Sequence, residues 1–162
     1  MATTKDRISE EEVKTFLDRF VDLYEKGDKG FFDLFAPNAT VFAISSPTRI
    51  EGRDQFQKGF APHFDPKSKR VSQILSPDIQ VFGDTALVSY HNRIQAGGTT
   101  HDLQGSLVLR RNQRGGLNVT HLHNSPQSTA SSFSVGVGRS IEDFAILEER
   151  VATAISAVGT PK

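Results

Sequence analysis

Leu117-Asn118-Val119-Thr120-His121-Leu122-His123-Asn124-Ser125-Pro126 is the stretch on which the fold turns, and it holds two of the chain's five histidines, two residues apart. Taken as a strand, it places His121, His123 and Ser125 on one face and Thr120, Leu122 and Asn124 on the other. Three further candidate strands precede it. They are Val71 to Phe82 with a break at Ser76-Pro77, Thr85 to Gln95, and His101 to Arg111. The turn signals between them, Gly83-Asp84, Gly97-Gly98 and the Asn112 to Gly116 stretch, suit antiparallel hairpins, so a curved antiparallel sheet is expected.

Upstream the pattern is helical. Ser9 with Glu12 three residues later forms a capping box, Gly27 is a stop signal, and Val13, Phe16, Leu17, Phe20, Leu23 and Tyr24 make one apolar stripe between them. Phe31, Leu34 and Phe35 predict a short second helix that ends before Pro37. Asn38 to Ile44 reads as a strand, hairpin-connected to a short one through Thr48 to Glu51, and Gly52 opens a helix carrying Phe56 and Phe60 that closes at Pro62. Helices first and a strand meander afterwards define an α+β order, with the sheet wrapped around the first helix. Residues 127–139 are Ser-rich and read as a linker. In residues 140–162, Ser140 and Asp143 cap a final helix whose stripe is Ile141, Phe144, Val151, Ile155 and Val158.

Composition narrows the function classes. The 162 residues suffice for one core that buries roughly 70% of the unfolded chain's surface. Cysteine is absent, which removes disulfide scaffolds, thiol nucleophiles and thiolate metal sites. Lys plus Arg and Asp plus Glu each number 19, so no broad basic field favours nucleic acid. With no apolar leader and no run near the ~20 apolar residues of a spanning helix, a cytoplasmic protein without membrane partners is expected.

The element order, Gly27-Asp28 after the first helix, the Asn38-Ala39-Thr40-Val41 strand, Glu51-Gly52-Arg53 at the third helix and the closing Val119-x-His121-x-His123-x-Ser125 pattern together resemble one superfamily. It is that of nuclear transport factor 2 and ketosteroid isomerase, in its SnoaL-like branch, with similarity to the association domain of calcium/calmodulin-dependent protein kinase II. The resemblance covers residues 13–126. It implies a cone-shaped, cystatin-like α+β domain over residues 1–126, with a pocket on the concave side of the sheet and a dimer contact on the convex side. It does not imply one activity, because the scaffold hosts isomerases, dehydratases, hydrolases and assembly modules. By this likeness the acid and tyrosine of ketosteroid isomerase fall at Ala43 and Phe20, so both groups are missing. Of the arginines of the kinase association domain, Arg93 is retained while Leu107 and Asn124 stand at two others, and Phe56 stands at the histidine.

Strand alternation groups Leu87, Ser89, His91 and Arg93 on one face, and Leu103, Leu107 and Leu109 on one face of the next strand. If both sets face the cavity, it is mostly apolar, with Arg93 and His91 as polar contacts and Ser89, Asn124, Phe20 and Leu107 beside them. A carboxylate ligand or an internal acid, Asp22 or Asp33, would then partner Arg93. His91 acting with Tyr24 or Asp22 is the candidate catalytic group. Ser89 with His91 lacks a nucleophile-presenting turn. His121 and His123 lack a third metal ligand, and the resemblance assigns them to a pH-responsive dimer interface. No metal and no cofactor is expected. Two functions are held against each other: a homodimeric binder of, or enzyme on, an apolar carbonyl or carboxylate metabolite, and a non-catalytic association module.

Overall fold

Ser9 opens the first helix, α1 (Glu10–Lys26), through a reciprocal pair of bonds. Its hydroxyl accepts from the Glu12 backbone N–H at 3.1 Å, and its own N–H donates to Glu12 Oε2 at 2.8 Å. Gly27 ends the helix in the left-handed region at φ 62°, donating back to the carbonyls of Leu23 and Tyr24. Between these caps Val13, Phe16, Leu17 and Phe20 are buried, the stripe expected from sequence. The computed structural model describes residues 6–44 and 46–127. The expected helix from Ser140, and the linker beyond Gln127, lie outside the described residues.

The remaining elements are α2 (Gly30–Asp33), β1 (Phe35–Phe42), β2 (Ile50–Glu51), α3 (Arg53–Phe60), a 3-10 turn (Ala61–His63), β3 (Arg70–Phe82), β4 (Thr85–Ala96), β5 (Thr99–Arg111) and β6 (Leu117–Pro126). The six strands form one sheet in the order β2-β1-β6-β5-β4-β3. Every pairing is antiparallel except β1 with β6, which is parallel and makes the sheet mixed rather than purely antiparallel.

Phe35 belongs to β1 and not to the short helix predicted for it. The Val119 N–H donates to the Leu34 carbonyl at 2.8 Å, so pairing with β6 begins one residue after the chain leaves α2. Pro37 cannot donate to a ladder, and it sits where the β1 register shifts between Phe35 and Thr40. Two more irregularities bend the sheet, one at Ser76-Pro77 in β3, where Ser76 has φ 48°, and one at Thr120 in β6. They curve it around α1, which packs on β3, and α3, which packs on β1.

The core between helices and sheet is phenylalanine-rich. Phe31, Phe32, Phe35 and Phe56 are all at most 3% exposed and meet one another edge-on or tilted. One buried cation fastens the chain behind this cluster. Arg70 donates to the carbonyls of Tyr24, His63 and Asp65, and its guanidinium lies 4.7 Å from the centre of the Phe64 ring. Three carbonyl acceptors and a ring face satisfy the guanidinium without a carboxylate.

Candidate functional site

Alternation along β4 decides what the cavity contains. Ala86, Val88, Tyr90 and Asn92 are buried, whereas Ser89, His91 and Arg93 are exposed. The concave face therefore takes the even-numbered residues, and the set expected there lies on the outer face. The register gives the reason. The two-residue Gly97-Gly98 turn sets Ala96 opposite Thr99, so Asn92 stands opposite Leu103 and Arg93 opposite Asp102. Arg93 Nε donates to Asp102 Oδ1 at 2.7 Å, with both side chains close to half exposed. This pair replaces the expected partners, Asp22 or Asp33. Asp22 is itself exposed on α1 and accepts from Lys26 Nζ at 2.8 Å.

The cavity has a volume of about 210 Å³ and lies between α1, α2, α3 and the inner face of the sheet. Phe20, Phe31, Phe56 and Phe60 form its helical wall, and Val41, Leu103 and Leu122 line the sheet side. Of the residues singled out from sequence, Phe20, Tyr24 and Asn124 line it, and Leu107 is fully buried in the core. Ala43 and Phe56, the positions equated with the isomerase acid and the kinase-domain histidine, line it as well. Ser89 and His91 instead border a shallow polar depression on the outer face with Gln104, Ser106 and His123.

Four polar residues at or behind the cavity escaped the sequence analysis as ligand contacts: Ser72, Tyr90, Asn92 and His101. Ser72 Oγ donates to Asn92 Oδ1 at 3.0 Å, and Tyr90 Oη donates to Asn124 Oδ1 at 2.9 Å. Tyr90 is a neutral donor, because burial raises its hydroxyl far above the ordinary tyrosine value. Burial raises Tyr24 too, against a smaller opposing effect of the Arg70 charge. His101 lies at the rim, on the same face of β5 as Leu103. The available signal was the pattern Ala86-Val88-Tyr90, a more apolar set than Leu87-Ser89-His91.

On the outer face the Thr120 bulge moves His121 opposite Val108 and His123 opposite Ser106. His121 Nδ1 and Thr40 Oγ1 are 2.7 Å apart, and Phe42 packs against both imidazoles. Partial burial, then the charges of His123 and Arg49, holds His121 below the ordinary histidine range. The unfolded chain thus takes up this proton first. His121 contributes its full stability above about pH 6.5 and loses it as pH falls toward the lower folded-state value. Urea midpoints measured from pH 7.5 to 5 are expected to fall, and His121→Gln should flatten that slope; an unchanged slope would refute the assignment. Among the described residues no three His, Asp or Glu side chains group to hold a metal ion, and no helix is long and apolar enough to cross a membrane.

The model of the SnoaL-like domain matches residues 13–129, and the chain belongs to that family. No curated protein sequence matches it. Among solved structures it is similar to a candidate dehydratase of the nuclear transport factor 2-like family from Streptomyces avermitilis, at 22% identity and a TM-score of 0.66 over 74% of this chain and 96% of that one. It is also similar to a candidate ketosteroid isomerase from Parabacteroides distasonis, at 16% identity and a TM-score of 0.62 over 78% and 98% of the two chains. A third is the calcium/calmodulin-dependent protein kinase II hub of S. rosetta, at 23% identity and a TM-score of 0.61 over 72% and 95%. At these identities the likenesses show a shared fold. Relatives described as cystatin-like share it too.

Proposed function

We propose that the protein binds one small, mostly apolar molecule in the cavity between its helices and the inner face of the sheet. The observation that supports this is an apolar hollow of about 210 Å³ with a few polar groups at its wall. An apolar cavity of about 150 Å³ accepts benzene, whereas drug-sized pockets start near ~300 Å³. The occupant is therefore the size of a single substituted ring. Proton transfer on it would run through His101, the imidazole at the rim.

A second function, self-association through the outer face, is supported by the exposed Phe42, Val71, Leu75 and Phe82 on that side, by His121 and His123 beside Phe42, and by the fold's likeness to a kinase hub. One pair of variants separates the two. Toluene should raise the Tm of the wild type and of Arg93→Glu but not of Ala43→Phe, whose ring would fill the cavity. If Arg93→Glu instead lowers the sedimentation mass while toluene shifts no Tm, association is the function and binding is not.

A further inference from the structure

Two carboxamides face the cavity, and each has its oxygen already engaged. Asn92 is 6% exposed, and its Oδ1 accepts from Ser72 Oγ. Asn124 Oδ1 accepts from Tyr90 Oη. A carboxamide carries two N–H donors besides its oxygen, and among the described residues neither Nδ2 has a protein acceptor. No buried side-chain nitrogen or oxygen among them is sealed off without a partner. Both NH₂ groups are therefore accessible, and both residues line the cavity.

Their placement on the sheet is built. Gly105 stands between Tyr90 and Asn124 in the register, and a side chain there would overlap both partners of the Tyr90–Asn124 bond. Leu103, two residues along β5, stands opposite Asn92. The two donors are thus two strands apart, roughly 10 Å of sheet, and they would hold different oxygens or different ends of one molecule. Among the described residues no Lys or Arg lines this space. A carboxylate seated at the two amides would be buried away from any fixed positive charge, with only the His101 imidazole at the rim, and that costs far more than burying a neutral group of the same shape.

Resting on the cavity as the binding site, we infer that its ligands are neutral carbonyl compounds, held through the Nδ2 donors of Asn92 and Asn124, and that carboxylates are rejected. This narrows the substrate class and reverses the anion preference that Arg93 suggested in the sequence.

Three one-ring probes test it by calorimetry at neutral pH: toluene, acetophenone and benzoate. The wild type should bind toluene and acetophenone and should not bind benzoate. In the double variant Asn92→Leu/Asn124→Leu, acetophenone should weaken roughly five- to tenfold while toluene holds. Should the double variant not fold, the infrared carbonyl stretch of ¹³C-labelled acetophenone on the wild type supplies the measurement. It should lie below its value in hexane if the oxygen is hydrogen-bonded. Benzoate binding as tightly as acetophenone, equal changes for toluene and acetophenone, or an unshifted stretch would overturn the inference while the cavity remains a binding site. Failure of both neutral probes to bind would overturn the cavity itself as the site.

Discussion

Phe35→Ala is expected to lower the unfolding free energy by about 3–5 kcal/mol, the range for removing a fully buried aromatic ring. Phe35 is 0% exposed, with its ring centre 4.9 Å from Phe56, 5.4 Å from Phe31 and 6.2 Å from Phe20. Those three rings are cavity walls, so the truncation removes the layer that backs the proposed binding site. Close packing cannot refill a missing ring from three neighbours already fixed by α1, α2 and α3. The urea midpoint should drop with an unchanged m-value. Ring-sized probes should also bind differently, because the lost volume is contiguous with the wall of the hollow. A loss under about 1 kcal/mol would mean that the wall collapses freely, and the cavity would then not be a rigid feature of the fold.

Gly105→Ala comes next, at about 1–3 kcal/mol, the cost of forcing extra volume into a packed interior. The added Cβ would stand 2.9 Å from both Tyr90 Cζ and the His123 carbonyl oxygen, and it would run into the Asn124 amide oxygen. The carbonyl belongs to the neighbouring β6 backbone, and Tyr90 is 5% exposed, so neither can step aside cheaply. No left-handed backbone is involved; the constraint is close approach alone. Because the contact falls on the Tyr90–Asn124 bond, the variant should also weaken acetophenone relative to toluene. Gly59→Ala is the matched control, with open space around its added carbon. Equal urea midpoints for Gly105→Ala and the wild type would show that β5 and β6 are looser than the register implies.

Much of the fold was legible. Ser9, Glu12 and Gly27 delimit α1 through local hydrogen bonds and one left-handed residue, which need no distant partner. The β3-to-β6 meander was legible because its three turns announce themselves. The partnership of β1 with β6 was not, since Phe35 and Val119 are far apart in sequence and no local signal ties them. That is also why Phe35 looked helical and the sheet looked wholly antiparallel.

The candidate site was read less well, though part of the error was avoidable. A two-residue turn at Gly97-Gly98 fixes which residues of β4 and β5 share a face. It pairs Arg93 with Asp102 and leaves Asn92 beside Leu103. Grouping Arg93 with Leu103 and Leu107 overlooked that parity. Nothing in Val119-Thr120-His121 marks the Thr120 bulge, which leaves His121 and His123 on the outer face and Leu122 and Asn124 on the inner one, the sides that the resemblance implied for the two histidines and for Asn124.

The amino-acid sequence by itself determined the elements, their order and the family, since caps, turns and strand periodicity act over a few neighbouring residues. Only the tertiary structure decided which side chains line the hollow. A one-residue change of strand register exchanges every side chain between the two faces of a sheet, and the bulges that set that register arise from packing between distant segments.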